Sequence, residues 1–234
     1  MKCHFKECHL ANNFNILRIK RMSQMCHNLH LLFSGLSQFA FPFDANRIPR
    51  NGIYIPFEKG EFAHKTDRIV RVGTHTGSNQ LPSRLKQHSI KENKDRSIFR
   101  KNIGRAILNK DQDAFLEQWE IDLTTRNARQ KHGGEIDRRK LVETEKRVTE
   151  YIRQNFRFVA FRVDDKSQRL HWESKIISTV SRCDECRPSQ NWLGLHSPKK
   201  KIQESGLWLV NELYKQPLSE SDCESLKIAV LSTA

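Results

Sequence analysis

The sequence predicts an α/β fold: a small central mixed or antiparallel sheet of about three core strands, flanked by helices and carrying a helical insertion. Two short stretches rich in β-branched residues, Asn51 to Phe57 and Arg68 to Thr74, read as an antiparallel strand pair. Glycine opens the first and closes the second, and Glu58-Lys59-Gly60-Glu61 reads as part of a longish connection between them. The third stretch, Phe156 to Val163, is apolar on both faces and bounded by Asp164-Asp165, as expected of a buried central strand.

The helices follow from apolar spacing. Leu29, Leu32, Phe33 and Leu36 mark a short amphipathic helix from Asn28 to Phe39, which Phe41-Pro42-Phe43 breaks. Leu81 to His88 has Pro82 in its first turn, and Arg84 and His88, four apart, share one face. In Lys91 to Lys110, Ile98, Phe99, Ile103, Ala106 and Ile107 form an apolar stripe, with Arg96, Arg100, Lys101 and Arg105 off it. Asp113 to Trp119 reads as a short helix and Thr124 to Gly134 as a basic flexible loop carrying Arg126, Arg129 and Lys131. Leu141, Val148 and Ile152 then set a helical face ending near Asn155. A helix over 167–182 places Trp172, Ile176, Ile177 and Val180 toward the core, with Glu173 at the inward edge of that stripe. Gly206 to Val210 reads as a strand or buried edge, and a terminal helix runs from about Leu218 to Leu226. The domain assignment is therefore a poorly ordered leader over 1–27 and one domain over 28–226, with its helical insertion at about 90–155.

The 234 residues include 41 Lys and Arg against 27 acids, a net charge of +14 that favours a polyanionic partner, nucleic acid before anionic membrane. No run is apolar enough to span a membrane, and the stretch from Leu29 to Phe43 lacks the pattern of a secretory signal. Six unevenly spaced cysteines do not form a disulfide framework, so a reducing cytoplasm is expected. Cys3-His4, Cys8-His9, Cys26-His27 and His30 match no standard zinc spacing. Cys183-Asp184-Glu185-Cys186 is a lone Cys-x-x-Cys; it reads as a helix-ending turn, or as half of a zinc site completed by His171, His196 or Cys223.

This order of elements resembles the GIY-YIG nuclease superfamily, in its restriction-enzyme-like form with a large insertion. Gly52-Ile53-Tyr54 matches the first signature, and Val72-Gly73 takes the place of the second, with Arg71 where that signature carries its Tyr. Arg84 and His88 match the following helix, Glu173 the helix after the third strand, and Asn191 the later asparagine, over roughly residues 50–195. The resemblance implies a metal-dependent DNA endonuclease using Mg²⁺ or Mn²⁺. Glu173 would be the metal ligand and Tyr54 the general base, Arg71 and Arg84 would supply positive field, and Arg84 would also clamp the phosphate. His88 would act near the leaving group, and Asn191 would orient its neighbours. Phenols titrate at about 10, so such a base needs cations nearby. Arg96, Arg100, Lys101, Arg105, Arg126, Arg129 and Lys131 are the expected DNA contacts, and cleavage of a palindrome would require a homodimer. Because Arg71 replaces a tyrosine, a catalytically inactive nucleic-acid-binding module of the same fold is the alternative. Taken singly, each site residue also has a structural reading: Tyr54 as a core aromatic, Arg84 and Glu173 as a salt bridge, and His88 at a helix C-terminus.

Overall fold

The computed structural model describes residues 20–232. It contains one four-stranded antiparallel sheet, β1 (Phe39–Ala40), β2 (Gly52–Ala63), β3 (Thr66–Ile69) and β4 (Phe156–Arg162), in the order β1-β4-β2-β3. As the apolar pattern of Phe156 to Val163 predicts, β4 lies inside the sheet, paired with β2 from Gly52↔Arg162 to Glu58↔Phe156. Side chains alternate across the pleat, so each face of the two inner strands needs its own apolar cover. Ile53, Ile55, Phe57, Val159 and Phe161 share one core with Met25, Cys26, Leu29 and Phe33 from helix α1 (20–34). Trp172, Ile176 and Val180 of α7 (Lys166–Ser181) and Leu226 of α9 (Glu220–Leu231) complete it.

Tyr54, Phe156 and Phe158 face the opposite core. There they meet α2 (Leu81–Ser89), α3 (Ile98–Lys110), α4 (Phe115–Glu120) and α6 (Arg138–Asn155), through Leu85, Phe99, Ile103, Trp119 and Val148. The remaining helices of the described residues are α5 (Arg126–His132) and α8 (Lys200–Ser205). Residues 90–155 therefore supply much of one of the two apolar layers, with α2, Trp192 and Trp208.

Several boundaries depart from expectation. Residues 20–27, read as the end of a leader, are helical, and Met25 and Cys26 are buried; the first helix is 20–34 rather than Asn28 to Phe39. Residues 1–19 of that leader, with Cys3-His4 and Cys8-His9, lie outside the described residues. The Glu58 to Glu61 segment is strand, not loop, because its acids are buried with partners. Glu58 accepts from Trp192 Nε1 at 2.7 Å, Trp208 Nε1 at 2.8 Å and the Tyr151 hydroxyl at 2.5 Å. Glu61 is paired with Arg68 at 2.6 Å.

A register shift between Phe57 and Phe62, where β2 advances farther than β3, includes Gly60 at φ +85°, and the chain turns at His64 and Lys65, both at positive φ. The Thr124 to Gly134 loop contains α5, started by the Thr125 hydroxyl accepting from Ala128 N at 3.1 Å. Gly206 to Val210 is a buried edge without strand pairing, held where Trp208 N donates to Val70 O at 2.8 Å.

Candidate active site

The second predicted strand is regular only to Ile69, but its continuation keeps the alignment that matters. Tyr54 and Gly73 exchange both backbone hydrogen bonds, at 2.9 and 3.0 Å. A Cβ added at Gly73 would lie 2.3 Å from the Tyr54 hydroxyl, so glycine is the residue that lets the phenol lie there. Next in the chain, Thr74 N donates to Glu173 Oε1 at 3.1 Å, and the Thr74 hydroxyl donates to Gly52 O at 2.7 Å. The consecutive residues Gly73 and Thr74 thus bring the phenol of one layer and the carboxylate of α7 to one strand segment.

The Tyr54 oxygen lies 2.7 Å from His88 Nε2, and His88 Nδ1 lies 2.7 Å from Ser97 Oγ. Ser97 caps α3 and accepts from Arg100 N at 3.2 Å. Two orders satisfy these distances: Ser97 donating to Nδ1 with Nε2–H on the Tyr54 oxygen, or the Tyr54 hydroxyl donating to Nε2 with Nδ1–H on Ser97 Oγ. Burial, then the nearby Arg84, Arg71 and Arg100, hold the His88 pKa well below the ordinary imidazole value, so the ring is neutral and can play both parts.

Arg71 is buried on the Tyr54 side of the strand. Its guanidinium sits 5.0 Å from the centre of the Phe99 ring, and Nη1 donates to Trp208 O at 2.5 Å. Its Nε is a buried donor without a protein partner, and so is Nδ2 of Asn102 on α3. Both side chains line a cleft of about 450 Å³ together with Glu173, Trp208, Asn211 and Glu212. Glu173 is half-buried, and burial pushes its pKa up against the opposing pull of Arg71. Glu212 also lines the cleft, but its carboxylate is engaged by Ser174 and Lys215 at 2.5 and 2.6 Å. Arg84 borders an adjoining groove with Thr74, His75, Gln80 and Gln87, and donates to Arg96 O at 3.0 Å.

One profile among known protein families, described as the GIY-YIG domain, matches residues 16–233. The chain belongs to the GIY-YIG domain family. No curated protein and no solved structure gave a match. The family is one of nucleases, generally dependent on a divalent metal, and the α/β sheet with flanking helices in this GIY-YIG domain is consistent with its fold.

Arg71 and Glu173 share the cleft and Arg84 borders the adjoining groove, whereas Tyr54 and His88, hydrogen-bonded to each other, are fully buried and line neither. Asn191 does not join them. It is exposed, its side chain shares no hydrogen bond with them, and its neighbour Trp192 is anchored to Glu58, four residues along β2 from Tyr54. Across four residues of strand the separation is about 13 Å. Asn102 and Asn211 are the asparagines of the cleft. Asn102 carried a legible signal, since it sits three residues after Phe99 on the apolar stripe of a helix; Asn211 follows an irregular segment and carried none.

The expected DNA contacts divide as well. Arg100 is fully buried against Glu145, with Nη2 at 2.5 Å from Oε2. Lys101 donates to Glu120 O at 2.9 Å, and Arg105 holds the Glu120 carboxylate at 2.5 and 2.6 Å. A helix face packed by neighbours on several sides binds its own acids, so these three are structural cations. Arg96, Arg126, Arg129 and Lys131 are exposed and take part in no ion pair. Among the described residues, no helix is long and apolar enough to cross a membrane.

Proposed function

We propose that this GIY-YIG domain is a metal-dependent DNA endonuclease whose reacting centre is the cleft lined by Arg71, Asn102 and Glu173, with buried Tyr54 beside it. The observation that carries this reading is that Arg71 and Asn102, each with a buried donor atom left without a partner among the described residues, line the same cleft as Glu173. An unsatisfied buried donor costs about 1–3 kcal/mol, and rotation of these side chains toward a phosphodiester in the cleft would relieve that cost. Arg71 thereby gains a role of its own: it is the cation of the cleft and takes the place of the second signature tyrosine.

The donor set fits a Mg²⁺ or Mn²⁺ ion. Glu173 Oε1 is held by Thr74 N, Oε2 has no hydrogen-bond partner among the described residues, and the neighbouring Glu212 is already engaged. One free carboxylate oxygen suits a hard cation that keeps most of its waters. When bound, the ion would polarise the phosphoryl oxygens and stabilise the departing 3′ oxygen. The chain's own groups do the rest. Arg71 and Asn102 hold the phosphate, Arg84 lies in the adjoining groove, and Tyr54 acts as general base through water once its own phenolic proton has passed to His88 Nε2, its ring lodged against Gly73. Exposed Arg96, Arg126, Arg129 and Lys131 provide the sequence-independent attraction to DNA. A reducing cytoplasm and a homodimer on palindromic sites belong to the same reading.

Nicking of supercoiled plasmid in Mg²⁺ or Mn²⁺ tests it. Glu173→Gln, which keeps the bond from Thr74 but lacks the charge, and Tyr54→Phe should each lose about 100-fold or more in rate. Equal cleavage by Glu173→Gln overturns the assignment. Salt-dependent binding of DNA with no cut in either metal would favour the alternative, an inactive nucleic-acid-binding module, to which Arg71 in the place of a tyrosine points.

A further inference from the structure

On the opposite side of the sheet from Tyr54, three segments distant in sequence bring their side chains to one point. Cys26 comes from α1, His64 from the β2–β3 turn, and Cys183 and Cys186 from the 3-10 turn that follows α7. Their four ligand atoms lie within 4.8 Å of one another, and all four residues are buried. We propose that these residues bind one structural zinc ion as a Cys₃His site.

The spacing is close to what a tetrahedral ion requires. With Zn–S of about 2.3 Å and Zn–N of about 2.0 Å, ligand atoms should stand roughly 3.5–3.8 Å apart. Cys26 Sγ and Cys186 Sγ are 3.3 Å apart, as are Cys183 Sγ and His64 Nε2, and the cysteines are not disulfide-bonded. Cys183 and Cys186 provide the two-residue gap of a zinc knuckle, closed by Cys186 N donating to Cys183 O at 3.2 Å.

A second observation points the same way. His64 Nδ1 lies 3.4 Å from Glu185 Oε2, and the other Glu185 oxygen accepts from the Ser23 hydroxyl. That carboxylate accepts from Nδ1–H and leaves Nε2, the nitrogen facing the cysteines, with its lone pair free for a metal; metal-bound histidines are oriented in this way. His30 is close, with Nε2 at 3.9 Å from Cys186 Sγ, but its ring is already used. Ile69 N donates to Nε2 at 3.2 Å, and Nδ1 donates to Cys26 O at 2.9 Å.

Four protein ligands close the coordination shell, so the ion would cross-link rather than catalyse. It would tie α1 and the hairpin turn to the end of α7, the helix that carries Glu173. The partners expected from sequence for Cys183 and Cys186 are elsewhere. His171 is exposed beside Asp222 at 3.3 Å, His196 is exposed, and Cys223 lines a separate groove with Leu29 and Leu32.

The test uses the full chain, purified without a metal-affinity step and assayed by inductively coupled plasma mass spectrometry. One zinc per chain is expected, unchanged in Cys223→Ser and lost in Cys183→Ser. Glu185→Ala should keep the ligands but bind zinc about 10–100-fold more weakly. Because Cys183→Ser could fail to fold, unaltered protein exchanged with Co²⁺ provides an independent reading. It should show thiolate-to-cobalt charge transfer and the d–d bands of tetrahedral cobalt. Substoichiometric zinc together with no thiolate–cobalt band, or a Cys26–Cys186 disulfide in the purified protein, overturns the proposal.

Discussion

The bond between Tyr54 and His88 shows how one side chain's environment sets its role. A lone histidine on a helix reads as a cap or as an acid near the leaving group. Burial and three arginines keep His88 neutral, and neutrality lets it accept a hydrogen bond on one nitrogen and donate one from the other, linking Ser97 to Tyr54. The same burial has a consequence for stability. The folded chain resists protonating His88, whereas the unfolded chain takes a proton near the ordinary value of 6.5. The His88 contribution is therefore present above that value and lost as pH falls toward the depressed pKa. Between about pH 7.5 and about pH 5.5, the unaltered chain should lose more melting temperature than His88→Gln, which cannot titrate. Equal losses in thermal denaturation would show that His88 does not titrate on unfolding.

At the scale of elements, α3 is fastened to α6 by Arg100 and Glu145. Arg100 also donates to His88 O at 3.0 Å and to the Thr149 hydroxyl at 2.9 Å, so it joins the insertion to the helix that carries His88. Burial raises the Glu145 pKa and Arg100 opposes that rise, which marks the carboxylate as dependent on its partner. Removing one member of such a pair costs about 3–5 kcal/mol. Arg100→Ala should lower the melting temperature by roughly 6–20 °C, and replacing both residues with apolar ones, Arg100→Met with Glu145→Leu, should recover most of it. Melting curves for the single and double variants decide this; a single variant as stable as the parent would mean that the pair contributes nothing.

Over the whole molecule, the +14 charge divides between two uses. Arg68, Arg100, Lys101 and Arg105 are used inside the fold, while Arg96, Arg126, Arg129 and Lys131 stand in solvent. Neutralising Arg126, Arg129 and Lys131 together should weaken DNA binding uniformly across sequences. It should also reduce the slope of log affinity against log salt by about 0.9 for each phosphate that the variant no longer neutralises. Fluorescence anisotropy at several salt concentrations measures that slope, and an unchanged slope would remove α5 from the interface.

The sequence by itself determined the α/β class, the inner position of β4, most helices, and the candidates Tyr54, Arg71, Arg84, His88 and Glu173. Those signals are local: apolar periodicity, glycine placement and short ordered motifs survive in one dimension. Only the tertiary structure decided which polar residues face inward and what they meet. It drew Glu58 and Glu61 into a strand, turned Arg100, Lys101 and Arg105 into internal partners, and left Asn191 outside the cleft while bringing in Asn102 and Asn211. It also joined Cys26 and His64 to Cys183 and Cys186. The physical reason is that a buried charge or ligand is defined by its partner, and most of those partners lie on other elements, beyond the reach of any local pattern.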